Sequence, residues 1–455
     1  MRTPAALLAA LATQSVLAAN VFHVDASAPA GGNGLSWGAA FNDLQDALAA
    51  AGAGDQVRVA QGTYKPDRGT GNRHMFFVPN SGVTMLGGFA GLAGPSPELR
   101  DPDAYRTTLS GDLLGDDAPN FANRSDNTTN IFYIFSKTGV VIDGFTVRSG
   151  HADLFHNFTS GVHGGGIETA FSEITVRNCV FVDNLAWRGG GAVALLNAYG
   201  PVPRFENCRF FGNRALVNGS TGGGAVYTAG NTTPVFVNCV FVGNSTPGGG
   251  GAIATNASSF TLVNCTIAQN TANAGGGVYV NSGQFNASNS VLWSNNAGGD
   301  AERKQIWTNV GAATVQNSSL PMLSLYAGNG NLVADPQFQA LAGPDGSLGT
   351  ADDDARPAAA SPVVNAGDNA HIPAGVATDL AGGARVTGGA VDLGAYETPC
   401  VGDSNADAIV NFTDLNNVLS SFNTAGFGRA GDVDGDGDVD FADLNLVISA
   451  FNSAC

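Results

Sequence analysis

Charge is scarce in this 455-residue chain, where Asp, Glu, Lys and Arg together make up 13%. What charge there is leans one way: 38 acids against 20 bases, a formal net charge of -18. A surface so poor in cations repels phosphate backbones, which argues against nucleic acid and favours cations as partners. Long apolar runs are missing too, except at the start. There "MRTPAALLAALATQSVLAAN" carries one Arg, a short apolar stretch and a small-residue end near Ala18 and Ala19. A membrane-spanning helix needs about 20 apolar residues, more than this stretch offers. The pattern predicts a secretory signal over residues 1–19 and a secreted, extracellular or cell-surface protein rather than an integral membrane one. Cysteine is also sparse, six in all. That is too few, and too oddly placed, for a disulfide scaffold.

Glycine is abundant, at 63 residues, and it comes in runs: 164–166, 189–191, 222–224, 248–251 and 275–277. Behind the runs stand near-copies of one short phrase. They read "VRNCVFVDN" at 176–184, "FENCRFFGN" at 205–213, "FVNCVFVGN" at 236–244 and "LVNCTIAQN" at 262–270, then "ASNSVLWSN" at 287–295. The Asn before Cys recurs at 178, 207, 238, 264 and 289, at intervals of 29, 31, 26 and 25. A period of this size marks a stacked array.

Within one copy the residues alternate, with Val176, Cys179 and Phe181 on one side, Arg177 and Val180 on the other, and Asn178 at a bend. Period two means strand. One rung of two or three short strands cannot bury its own apolar side, whereas stacking rungs about 4.8 Å apart can. Cys179, Cys208, Cys239 and Cys265 then form an inward file, which Ser290 continues. In-register stacked strands suit bridge geometry poorly, so these thiols are expected to be free, small hydrophobes. Gly and Asn supply the positive φ of the bends, and each Asn amide can bond its equivalent one rung away. A phosphate loop is excluded, because the glycine runs repeat and lack the following Lys and helix. The predicted fold is all-β, a right-handed parallel β-helix (solenoid) over residues 20–397.

"GGAVAL" at 190–195, "GGAVYT" at 223–228 and "GGAIAT" at 250–255 resemble polymorphic outer-membrane-protein repeats. The opening "VFHVDASAPAGGNGLSWGAAFNDLQDALAAAGAGDQVRVAQGTYKP", "ADPQF" at 334–338 and the stretch 361–397 resemble secreted pectate-lyase-like β-helix proteins of the choice-of-anchor Q kind. An open β-helix end exposes unpaired strand edges that need covering. Residues 41–51 place Phe41, Leu44, Ala47, Leu48 and Ala51 on one helical face. They are expected to cap the stack ahead of a first strand, "QVRVA", while 341–397 closes the opposite end.

Residues 398–455 form a separate module. "DSNADAIVNFTD" at 403–414 and "DVDGDGDVDFAD" at 432–443 lie 29 residues apart, each followed by an apolar helical pattern. Oxygen-bearing side chains at loop positions 1, 3, 5, 9 and 12 are how an EF-hand loop wraps calcium. The expected ligands are Asp403, Asn405, Asp407, Asn411 and Asp414, then Asp432, Asp434, Asp436, Asp440 and Asp443, with Ile409 and Asp438 giving carbonyls. Position 12 is Asp rather than Glu, and Ala408 replaces the usual glycine that Gly437 supplies in the second loop. Residues 400–455 hold nine Asp and one Arg, net -8, which would self-repel without metal. The periodic apolar residues after both loops argue against a disordered tail.

Paired loops of this kind resemble type I dockerin modules, which tie secreted polysaccharide-degrading enzymes to cohesins. The resemblance implies two calcium ions, a docking partner, and a bridge between Cys400 and Cys455, since dockerin termini lie together. The first helical turns depart from the family's Ser-Thr recognition pair: Phe412-Thr413 and Phe441-Ala442 stand there, so a surface protein other than a cohesin stays open.

The β-helix resemblance implies a polysaccharide ligand along the stacked strands. Cleavage, by a polysaccharide lyase or O-glycosyl hydrolase, would need a cation with a basic residue or a pair of carboxylates. No such motif stands out. The nearest is "RSGHADLFHNFTSGVHGGGIE" at 148–168, which gathers His151, Asp153, His156, His163 and Glu168 beside Arg148. Arg177, Arg188, Arg204, Arg209 and Arg214 either meet an acidic polysaccharide or offset Asp183 and Glu206. "GPDGSLGTADDDAR" at 343–356 offers Asp345, Asp352, Asp353 and Asp354 as a further weak calcium loop. Two functions follow: a secreted carbohydrate-active protein in polysaccharide catabolism, or a non-catalytic adhesion module.

Overall fold

The computed structural model describes residues 19–67, 73, 75–153, 162–197, 202–217, 222–298, 301–322, 328–405, 409–425, 431–433 and 438–452. Residues 1–18 of the signal segment, His156, Asp407, Asp434, Asp436 and Cys455 lie outside them. Three long parallel sheets run the length of the stack, one of ten strands (sheet A) and two of eight (sheets B and C). One rung shows how the sequence makes them. Ile167–Ala170 belongs to sheet C, Ile174–Arg177 to sheet A and Val180–Val182 to sheet B. Between the last two stands Asn178 with φ 52°, and the four equivalent asparagines hold φ between 48° and 51°. The left-handed bend falls on the residue type that tolerates it.

Stacking turns sequence equivalence into columns. Phe181, Phe210 and Phe241 lie fully buried with ring centroids 4.9 and 4.5 Å apart and planes within 6°. Cys179, Cys208, Cys239 and Cys265 are buried and free, as their file requires. The Cys239 N–H donates to Cys265 Sγ at 3.4 Å, the Cys265 N–H to Ser290 Oγ and the Ser290 N–H to Ser318 Oγ. Burial pushes the Cys179 and Cys239 thiols well above their ordinary range, so they stay protonated. A second column joins the closing asparagines: Asn184, Asn213, Asn244, Asn270 and Asn295 pass amide hydrogen bonds of 2.9–3.0 Å along the stack and end on Gln305 Oε1. The glycine runs have a steric cause: a Cβ on Gly191 would sit 2.4 Å from Gly224 O and 2.5 Å from Arg214 N.

Both ends depart from expectation. The helix Leu44–Ala50 does bury Leu44, Ala47 and Leu48 against the first rungs. "QVRVA", however, is the second strand of sheet A, because Val21–Val24 pairs outside it. At the far end, Ser319 pairs with Leu332, and the Asn317 N–H donates to Asn329 O, so a partial turn covers the last rung. Residues 335–397 do not close that end. They lie lengthwise on the outer side of sheet B, where Ala355, Leu380, Ala395 and Tyr396 join Phe211, Val240, Val242 and Ala268 in a second core. Sheet B turns these apolar residues outward, so a covering segment is energetically required there.

This strap is pinned to three successive rungs. Asn238 donates to Thr378 O, Thr266 Oγ1 accepts from the Ala395 N–H, and Asn289 exchanges two bonds with Asp368. Arg385, almost fully buried, pairs with Glu397 at 2.7 Å and reaches Asn238 Oδ1 at 3.3 Å. No helix among the described residues is long and apolar enough to cross a membrane.

Candidate functional site

The strap core lies on sheet B and leaves the outer side of sheet C alone. The inward residues of sheet C, including Ile167, Val193, Val226, Ile253, Val278 and Ile306, belong to the main core. Alternation puts their neighbours on the outer side. Strand register there aligns Phe77, Tyr133, Glu168, Ala194, Tyr227, Ala254, Tyr279 and Trp307 in one row along the long axis. Five of the eight are aromatic and one is an acid. Neighbouring positions are about 4.8 Å apart, the step between parallel strands.

The middle of the row is buried, with Glu168, Ala194, Tyr227 and Ala254 each 4% exposed or less. The His163 ring lies parallel to the Tyr227 ring, centroids 5.7 Å apart and planes at 12°. Burial, helped by the Arg188 cation, lowers the His163 pKa to about 4, so the imidazole is neutral at pH 7. Its Nδ1 is buried and without a hydrogen-bond partner. Glu168 is 1% exposed, and both it and Arg188 are engaged in polar contacts of their own. Burial also raises the Tyr227 phenol, against a hydrogen bond from Asn256.

Toward the C-terminal end the row becomes an aromatic and amide surface. Tyr279 and Trp307 are half-buried neighbours, and the Arg303 guanidinium lies 5.6 Å over the Trp307 ring. Beside them an outward asparagine ladder runs from Asn309 to Asn281 to Asn256, each Nδ2–Oδ1 distance 2.9 Å. Flat apolar rings flanked by amide donors and acceptors suit sugar rings with their hydroxyls.

The histidine-rich segment divides between two places. His163 and Glu168 belong to the sheet C row. His151 and Asp153 do not: His151 Nδ1 lies 2.7 Å from Arg124 O, and Asp153 pairs with Arg73 at 2.7 Å. His156 lies outside the described residues. The arginines also divide. Arg204 pairs with Glu206 as the offsetting reading requires, but Asp183 is taken by Arg124, Arg177 pairs with Asp143, and Arg209 faces Asp103. Asp345, Asp352, Asp353 and Asp354 build a turn within the strap. There Asp353 Oδ2 accepts from the Gly349 N–H, Asp352 Oδ2 from the Asp345 N–H, and Asp354 pairs with Arg356. A groove of about 260 Å³ runs beside this turn, lined by Arg106, Arg209, Arg356 and Tyr396.

In the tail, helices Phe412–Ser421 and Phe441–Ser449 follow the two loops. Asn411 and Asp440, at loop position 9, cap them, and Asp414 and Asp443, at position 12, complete each capping box from full burial. Carboxylate oxygens of Asp438, Asp440 and Asp443 come within 4.8 Å of one another, an all-oxygen donor set that fits a hard cation. Asp403, Asn405, Ile409 and Asp432 are placed in these loops as well. Cys400 is disulfide-bonded, and its expected partner, Cys455, lies outside the described residues.

Residues 139–320 match the family model described as a right handed beta helix region. No curated protein matches the chain. Among solved structures, a pectate lyase, Pel9A, is 16% identical with a TM-score of 0.41, covering 83% of this chain and 96% of that one. A rhamnogalacturonan lyase is 14% identical with a TM-score of 0.35, covering 73% and 95%. A rice weevil pectin methyl esterase is 12% identical with a TM-score of 0.23, covering 63% and 91%.

Proposed function

We propose that the protein is exported and binds a polysaccharide along the outer side of sheet C, while its calcium-loaded tail docks it to a partner. The observation that carries this reading is the pair of half-buried aromatics at Tyr279 and Trp307 beside the Asn256–Asn281–Asn309 ladder. A chain of sugars laid over the last rungs meets Tyr279 and Trp307 on successive strands. Aromatic faces take its apolar ring faces, and the amides take its hydroxyls.

Binding is better supported than cleavage. The row holds a single carboxylate, Glu168, whereas glycoside hydrolysis uses two flanking the scissile bond. In the tail, Phe412 and Phe441 are 69% and 68% exposed at equivalent positions, and Leu419 and Ile448 are exposed one turn or two further on. Such apolar residues on a calcium-ordered module are the natural contact for a docking protein.

The test is affinity electrophoresis of the purified chain through a panel of plant and algal polysaccharides, with and without chelator. At least one polysaccharide is expected to retard it. Replacing Tyr279 and Trp307 together by Ala should weaken that binding by about thirty-fold, roughly 2 kcal/mol, at unchanged circular dichroism. Binding that survives the double substitution undiminished would move the site elsewhere.

A further inference from the structure

Away from sheet C and the tail, acids gather in the connection between the strands Thr107–Ser110 and Phe132–Phe135. Carboxylate oxygens of Asp112, Asp116 and Asp126 lie within 4.8 Å of one another. The cations of this neighbourhood are engaged otherwise: Arg124 pairs with Asp117 and Asp183, and Lys65 donates to Leu113 O. Backbone N–H groups offset part of this charge, those of Gly115 and Asp116 donating to Asp112 Oδ1 and that of Leu114 to Asp126 Oδ2, and a cation would offset the rest.

A second observation concerns the residues next to them. Asp117 Oδ1 and Asn127 Oδ1 are sealed from solvent and accept no hydrogen bond. Asn127 is fully buried, and the Asp117 side chain is 8% exposed. These residues directly follow Asp116 and Asp126. The Asp117 N–H donates to Asp112 Oδ2 at 3.3 Å, and Asp117 Oδ2 accepts from Asn127 Nδ2 at 3.1 Å. Buried acceptors without a hydrogen bond are rare in folded proteins and call for a cation or an ordered water.

We propose that Asp112, Asp116 and Asp126 hold a calcium ion, distinct from those of the tail. Carboxylate oxygens alone select a hard cation, and an irregular loop suits the tolerant coordination of calcium better than the strict octahedron of magnesium. The ion would fasten the start of the connection to its end. That end holds the sheet C face in place: the Thr128 N–H donates to Gly111 O, and Asn130 Nδ2 donates to the carbonyls of His163 and Gly164.

The test counts calcium per chain by atomic emission in the full-length protein after dialysis. Two double variants are compared with the parent: Asp112→Asn with Asp126→Asn, and Asp414→Asn with Asp443→Asn in the tail. The first is expected to hold one calcium fewer than the parent. A tail variant that keeps the parent's count would refute the tail ligands and leave the first comparison intact. All four tryptophans (Trp37, Trp187, Trp293, Trp307) precede the tail, so their fluorescence reports the β-helix alone. Calcium should raise the fluorescence melting temperature of the tail variant and leave that of the loop variant unmoved. Should the loop variant fail to fold, Asp116→Asn replaces it, with calcium affinity at this site at least about tenfold weaker expected. An unchanged calcium count in a folded loop variant, or an unchanged affinity in Asp116→Asn, overturns the proposal.

Discussion

The β-helix and the tail both repeat a unit of about thirty residues, yet they use the repeat in opposite ways. In the β-helix the copies are related by translation, so equivalent side chains stack on one another, Phe181 on Phe210 on Phe241. In the tail they are related by an approximate two-fold rotation, so each copy meets its counterpart crosswise. Phe412 touches Phe451 while Phe422 touches Phe441. The Asn423 N–H donates to Val439 O and the Asn452 N–H to Val410 O, both at 2.8 Å. Val410, Val418, Val439 and Val447 fill the core between the halves. Rotation closes on itself after two copies and needs no cap. Translation never closes, which is why the β-helix carries a helix at one end and a partial turn at the other.

The contrast can be broken by substitution. Phe210→Ala removes a ring stacked on both sides and should cost the β-helix about 4 kcal/mol, read as an earlier tryptophan-monitored unfolding transition. An effect below about 1 kcal/mol would mean that the column does not act as continuous core. Val447→Ala should cost about 2 kcal/mol in the tail and leave the tryptophan transition untouched. A shared shift would show that the two regions unfold as one.

The smallest effect concerns pH. The folded His163 pKa, about 4, lies below its ordinary value, so the unfolded chain binds the extra proton between those limits. The stabilisation from the neutral ring is therefore complete above pH 6.5 and lost as pH falls toward 4. His163→Phe should flatten that part of the stability profile, and an unchanged slope would place the ring in water.

Much of the architecture was legible because equal spacing becomes a column: Asn178, Cys179 and Phe181 announced their bend, file and stack directly. The strap was not legible as such. Residues 335–397 have no period, and the sequence does not show that Val240, Val242 and Ala268 turn apolar faces outward. The row on sheet C was legible in part. Tyr227, Ala254 and Tyr279 each stand three residues after a glycine of their run (Gly224, Gly251, Gly276), as Glu168 follows Gly165. Reading the same offset in every copy would have shown an outward file, whereas the search for histidines and acids found only its His163 and Glu168 members. His151 and Asp153 misled because nearness in sequence stood in for a shared strand face.

The strap changes how this molecule comes apart. A bare solenoid can peel from its last coil, each loss exposing only the next, because contacts reach no further than adjacent coils. Here one segment is riveted at Asn238, Thr266 and Asn289, so the terminal coils cannot leave unless several rivets fail together. Pulling on the tail, which follows directly at residue 398, would load that splint before any coil. Load entering through the tail would thereby meet the strap's rivets together instead of unzipping the coils one at a time.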